Sequence, residues 1–195
     1  MNALKNSTDT KRLFVAIPIA GEAAVYCLNV QNSLKAFAGD SIRYTGRNCS
    51  DVNEKFHLTL EFLGDTSIHE IDDITERIER AVNTKPFSFS CGNCKFFGSP
   101  GNSGSVFISV KDETGELDNL NRSLKGFSRE NFHPHITIGR RKSPDREQIS
   151  QLISFTDEER SGPRFTVSEI VLFSSDLNAS GPVYTALKRV PVGNK

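Results

Sequence analysis

Phe56-His57-Leu58-Thr59-Leu60-Glu61-Phe62-Leu63, closed by Gly64, alternates apolar and polar residues with a period of two. The alternation predicts a strand with Phe56, Leu58, Leu60 and Phe62 on its buried face and His57, Thr59 and Glu61 on the other. A later stretch, Phe132-His-Pro-His-Ile-Thr-Ile138, carries the same unit. His135-Ile136-Thr137-Ile138 repeats His57-Leu58-Thr59-Leu60 as His-x-Thr-x with an apolar residue at each x. Both copies lie between helical patterns, so the chain reads as a duplicated helix–strand–helix plan.

The segments around these strands complete the plan. Arg12-Leu-Phe-Val-Ala-Ile-Pro18 reads as a buried strand. Ala23, Cys27, Val30, Leu34 and Phe37 recur at helical spacing, and Gly39 closes that helix. Ser67-Ile-His-Glu70 fits a capping box before a helix with the stripe Ile71, Ile74, Ile78 and Ala81; His69 is expected to be a solvated residue of its first turn. Strands are expected at Pro86–Phe97 and Ser105–Val110. A helix on Leu117, Leu120, Leu124 and Phe127 follows, then the strand Phe132–Ile138 and a short helix over Asp145–Ile153. Phe165–Phe173 and Val183–Val190 read as closing strands around the turn Asn178–Pro182. Paired strands with interspersed helices predict an α+β fold of two similar lobes.

The length of 195 residues suits one domain over residues 12–195, preceded by a flexible polar tail over residues 1–11. Lys plus Arg and Asp plus Glu are 24 each, so the formal net charge is zero. That excludes a bulk field as the means of finding a polyanion, and any anionic ligand must meet a local cluster. No apolar run approaches the roughly 20 residues of a membrane span, and no signal sequence is read at the start. The expected location is cytoplasmic, and the four cysteines are expected to be thiols. Cys91 and Cys94 form half of a zinc-ribbon pattern whose other half is missing, because Cys27 and Cys49 stand alone. The pair is read as two small side chains around a turn.

The duplicated unit carries the chemistry. On a strand, the imidazole and hydroxyl of His-x-Thr share a face, about 7 Å apart. Two copies predict two facing imidazoles, His57 and His135, flanked by the hydroxyls of Thr59 and Thr137. One imidazole accepts a proton from a nucleophile while the other donates one to a leaving group. The hydroxyls donate to non-bridging phosphate oxygens. Arg140 adds a planar cation suited to phosphate, standing out from the basic triplet Arg140-Arg-Lys142. The set suits metal-free attack on a phosphodiester. The alternative of three metal ligands, His57, His133 and His135, lacks the carboxylate or spacing expected of a zinc site. His133 is read instead as a rim residue supporting the cleft. Phe14 shares a strand face with Arg12 and Ala16 and is a candidate for the cleft floor or for base stacking.

These residues resemble the two-histidine phosphoesterase superfamily, and within it the bacterial RNA 2′,3′-cyclic phosphodiesterases once described as 2′-5′ RNA ligases. Arg12–Ile17 resembles the family's first strand, His57–Gly64 and Phe132–Arg140 its two motif blocks, and Ile170–Phe173 with Gly181–Arg189 its closing hairpin. The resemblance implies a bilobal fold with mostly antiparallel sheets flanked by helices and a site in a central cleft. It implies His57 as general acid, His135 as general base, and Thr59, Thr137 and Arg140 as phosphate ligands. The implied reaction opens a 2′,3′-cyclic phosphate at an RNA end to a 2′-phosphate, with no metal or cofactor. RNA or oligonucleotide ends are the expected partners, small nucleotides an alternative, and a monomer the expected state. A nucleotide-binding sensor and a 2′-5′ ligase are the other activities such a site could serve. The chain departs from the family's frequent pattern in having Glu61 where a basic residue is common, acidic or neutral residues over Phe173–Leu177, and no tryptophan.

Overall fold

The backbone amides and carbonyls along a strand's edges need partners, and the strands here find them in one sheet. The structure, a computed structural model, describes residues 9–47, 49–82, 85–98, 103–125, 132–142, 146–178 and 181–193. In chain order these form β1 (Thr10–Ile19), α1 (Gly21–Ala38), β2 (Ile42–Tyr44), β3 (Phe56–Ser67), α2 (Ile71–Ala81), β4 (Ser88–Phe96) and β5 (Ser105–Lys111). Then follow α3 (Glu116–Lys125), β6 (His135–Arg141), α4 (Arg146–Asp157), β7 (Arg164–Thr166), β8 (Glu169–Asn178) and β9 (Gly181–Pro191). The strand order is β7-β4-β5-β6-β3-β1-β8-β9, with β2 added against β6. Each of these pairings is antiparallel.

The expected two lobes are the two halves of this sheet. They meet where β3 and β6 pair at Leu58 and Ile136. Helices α1 and α4 cover the β6 half, and α2 and α3 cover the β3 half. The chain is interleaved: α1 follows β1 yet packs against β6, and α3 follows β5 yet packs against β3. Neither half is therefore a continuous stretch of sequence. Leu58, Ile136, Ile17 and Ile108 from the strands join Leu34 of α1 and Leu120 of α3 in one core, all at most 1% exposed.

Several expectations change. β3 does not stop at Gly64 but runs to Ser67, because Gly64 adopts a φ of 70° and the ladder with β1 continues past it. The expected strand Phe165–Phe173 is two strands, β7 and β8, on different halves of the sheet. Between them Val167 donates to the Phe87 carbonyl and Ser168 accepts from Val192, so this segment bridges the halves. Ser67 caps a 3₁₀ turn, Ile68–Glu70, by accepting from the His69 amide at 3.3 Å, and α2 begins only at Ile71. Thr10 and Lys11 belong to β1 rather than to a tail; residues 1–8, Phe127 and Asp145 lie outside the described residues. Phe37 is 48% exposed, so it is not part of the α1 stripe and instead covers Phe155 of α4. Cys91 and Cys94 sit within β4, on either side of a register shift, rather than around a turn.

β2 was not readable as a strand, and its packing leaves a sequence requirement on its neighbour. A Cβ on Gly139 would stand 2.6 Å from Ile42 Cγ2 and 3.3 Å from the Arg43 carbonyl. Gly139→Ala is expected to lower stability by about 1–3 kcal/mol, the usual cost of overpacking, measured by chemical denaturation. An unchanged midpoint would mean that β2 does not pack against β6 as described.

Candidate active site

The pairing of Leu58 with Ile136 sets the position of both motifs at once. In an antiparallel pair, opposite residues share a face. One step to either side of the Leu58–Ile136 pair, His57 lies beside Thr137 and Thr59 beside His135. Leu58 and Ile136 are fully buried on the helix-covered face, while all four polar residues are partly exposed on the other. The two histidines are diagonal neighbours, for which an antiparallel pair gives about 7–8 Å between backbone positions. The duplicated unit thus becomes a pseudo-twofold arrangement of two imidazoles and two hydroxyls.

Simple alternation would put Arg140, five residues after His135, on the wrong face. The structure corrects this with a bulge. Phe107 pairs with Thr137 but Val106 with Gly139, so Ile138 is an extra residue in β6. Arg140 consequently pairs with Ser105, which shares a face with Phe107, and so rejoins the face of His135 and Thr137. The same event occurs in β3. Ala16 pairs with Thr59 but Val15 with Glu61, so Leu60 is the extra residue. The expected faces of β3 are therefore wrong beyond Leu60. Phe62 pairs with Phe14 on the histidine face and is 74% exposed, whereas Glu61 turns to the helix side and binds Arg77 of α2 at 3.1 Å. The departure at Glu61 thus lies off the site.

Each imidazole leans on its own aromatic wall. His57 packs with Phe14 at 5.2 Å and edge-on with Tyr184 at 5.1 Å, and Phe14 stacks on Phe173 at 5.2 Å. Phe14 is therefore floor rather than an open stacking face, being 3% exposed. His135 meets Phe97 edge-on at 4.9 Å and Phe107 at 5.2 Å, with those two rings stacked at 4.2 Å. His135 Nδ1 lies 2.7 Å from the His133 carbonyl. A carbonyl only accepts, so Nδ1 carries the proton and Nε2 of the neutral ring keeps its lone pair. His133 contributes its backbone oxygen, and Pro134 between them holds the two residues in an extended step.

These surroundings disfavour charge on both rings. Burial lowers the His57 pKa to about 4, and the charge of His135 adds to the effect. Burial also lowers His135, partly offset by its bond to the His133 carbonyl. Both are neutral in the free protein near pH 7. An anion between them would reverse these shifts by favouring the protonated forms.

Reasoning from sequence missed several residues. Arg43 of β2 pairs with Arg140, and neither has an ion-pair partner among the described residues. Like charges directly opposite repel, so this corner of the site suits an anion. Arg141 is buried; it donates to the Phe97 carbonyl at 3.2 Å and lies over the Phe96 ring at 4.6 Å, which holds Phe97 against His135. Two adjacent arginines in an apolar strand were the available signal. The alternative set of His57, His133 and His135 does not converge, and no trio of His, Cys, Asp or Glu among the described residues is arranged to hold a metal ion.

Residues 39–179 match the model of the 2′-5′ RNA ligase superfamily. An RNA 2′,3′-cyclic phosphodiesterase of Thermotoga maritima is 37% identical over 144 residues, covering 69% of this chain and 74% of that one. One from Methanothermobacter thermautotrophicus is 29% identical over 191 residues, covering 91% of this chain and 96% of that one. The crystal structure of Escherichia coli LigT in apo form shares the fold, with a TM-score of 0.71, 21% identity and coverage of 96% and 100% of the two chains.

The low pKa of His57 predicts a pH-dependent stability. Between about pH 6.5 and about pH 4, unfolded His57 binds a proton that the folded residue refuses. The unfolded state binds more protons there, so stability falls as pH is lowered through this window. His57→Phe, which suits the aromatic wall, is expected to flatten that fall, read from denaturation midpoints across the window. Parallel pH profiles for the two proteins would contradict the assigned environment.

Proposed function

Because the chain belongs to the 2′-5′ RNA ligase superfamily, the two-histidine phosphoesterases, we propose that it hydrolyses 2′,3′-cyclic phosphate ends of RNA to 2′-phosphomonoesters. The observation that carries this reading is the register that places two His-x-Thr units side by side on one open sheet face. The names of the relatives supply the substrate class.

The cyclic phosphate sits between the two imidazoles. Its non-bridging oxygens accept from the Thr59 and Thr137 hydroxyls, neither of which has a hydrogen-bond partner among the described residues. Arg140 supplies charge to the same group, and Arg43 extends the cationic corner. Water attacks phosphorus while His135 Nε2 takes its proton, a role supported by the tautomer that the His133 carbonyl imposes. The bond from phosphorus to O3′ breaks, and His57 gives that oxygen a proton. The products are a 2′-phosphate and a 3′-hydroxyl. His57 must be charged to act, and the bound anion raises its pKa from the low free value. A group that binds its proton weakly is then a strong donor. The edges of Tyr184 and the face of Phe14 hold its ring in place. Exposed Phe62, on the same face, offers a surface for a nucleobase.

Replacing His57 or His135 by Ala is expected to lower turnover of an oligonucleotide ending in a 2′,3′-cyclic phosphate by roughly 10²–10⁴-fold. The double variant should lose little more than either single one, because the two rings act in one step. Thr59→Val and Thr137→Val should each cost less, since one donor remains. Near wild-type rates from either His variant at saturating substrate would overturn the paired mechanism. Binding without turnover by the wild type would convert the reading to a nucleotide-binding protein.

Turnover is also expected to survive EDTA, because proton donor, acceptor and cation all come from side chains. Loss with EDTA, restored by a divalent ion, would count against this chemistry.

A further inference from the structure

The two bulges share a second feature, and it comes from the helices beneath them. The extra residue of β3 is Leu60, and its carbonyl accepts from Asn121 Nδ2 of α3 at 2.5 Å. The extra residue of β6 is Ile138, and its carbonyl accepts both from the Thr45 amide at 3.0 Å and from Gln31 Nε2 of α1 at 2.7 Å. Gln31 also donates to the Thr45 carbonyl at 3.1 Å, which ties in the segment after β2. Both carboxamides are buried, at 4% and 3% exposure. They occupy equivalent places in the apolar stripes: Cys27, Val30, Gln31, Leu34 in α1, and Leu117, Leu120, Asn121, Leu124 in α3. Each stripe has a polar residue where an apolar one would pack without needing a partner.

We propose that Gln31 and Asn121 are positioning residues that lock the two bulges and so keep Arg140 and Phe62 on the catalytic face. A bulge leaves its extra residue unpaired with the neighbouring strand; the Leu60 carbonyl takes its donor from Asn121, and Gln31 clamps the Ile138 carbonyl together with the Thr45 segment that also bonds it. Without the carboxamide the bulge loses its tie to the helix beneath it and is free to slip to regular pairing, which moves every later side chain to the opposite face. In β6 the slip would turn Arg140 toward the helices; in β3 it would turn Phe62 inward and bring Glu61 onto the histidine face. His57, Thr59, His135 and Thr137 precede the bulges and would keep their places. The carboxamides are thus assigned to substrate binding rather than to proton transfer. A carboxamide fits this task because it donates while carrying no charge into the core. This inference rests on the phosphate-binding role given above to Arg140.

Crossed double-mutant cycles on a 2′,3′-cyclic phosphate oligonucleotide test it. Gln31→Met keeps the volume of the side chain and removes its donors. It is expected to lower kcat/KM by about 10–100-fold, the scale of a misplaced binding group, mainly through KM, with the pH profile unmoved. In an Arg140→Ala background the same change should have little further effect, whereas in a Phe62→Ala background its full effect should persist. Asn121→Leu should behave the opposite way, coupling to Phe62 and adding to Arg140→Ala. A loss from Gln31→Met that persists undiminished beside Arg140→Ala would overturn the inference, as would a folded Gln31→Met with wild-type KM. If Arg140→Ala alone is without effect, the role of Arg140 fails instead, and the cycle with Phe62 still decides the role of Asn121. Should Gln31→Met fail to fold, Gln31→Asn, with its donor one methylene short, is put through the same cycle and judged by the same outcomes.

Discussion

Leu58 and Ile136 face each other at the centre of the sheet, and the site depends on that pairing. Each belongs to the core of a different half, so burying both is what joins the halves. Strand geometry does the rest. With these two side chains fixed inward, the residues on either side must point outward, and two threonines are set beside two histidines. A shift of one residue in this register would bury the histidines and expose Leu58 and Ile136. The hydrophobic cost of that slip is therefore what specifies the geometry of the candidate site.

The site has little charge of its own at neutral pH in the absence of ligand. Its imidazoles are surrounded by rings and held neutral by burial, and the cations stand to one side, at Arg140 and Arg43. In the proposed mechanism an entering phosphate supplies the charge that the histidines need to become competent donors. Binding and activation are thereby coupled through one electrostatic effect. On the proposed reading, a chain with zero net charge serves a polyanion through an attraction confined to a corner of one strand pair.

The strands bearing the motifs, the four helices α1–α4 and the face that carries the candidate site up to Thr59 and Thr137 were readable, because alternation and helical spacing are local signals. The β-bulges were not. Whether Leu60 or Ile138 is an extra residue depends on which residues of β1 and β5 stand opposite, and that information lies elsewhere in the chain. Phe62 and Glu61 were accordingly assigned to each other's faces, and Arg140 was reached by resemblance and charge rather than by geometry. β2 has three residues, too few for a period, and the break between β7 and β8 falls inside Phe165–Phe173, where no Gly or Pro marks it. One signal was present and unread: an amide in the apolar stripe of each of α1 and α3, at the same place in the two repeats.

The central claim is that one phosphate lies between His57 and His135. A histidine proton NMR titration, with and without a saturating nucleoside 2′-monophosphate, tests it most directly. The account predicts that the resonances of His57 and His135 both titrate at higher pH when the phosphate is bound. A shift confined to one of the two, or to neither at saturation, would contradict it.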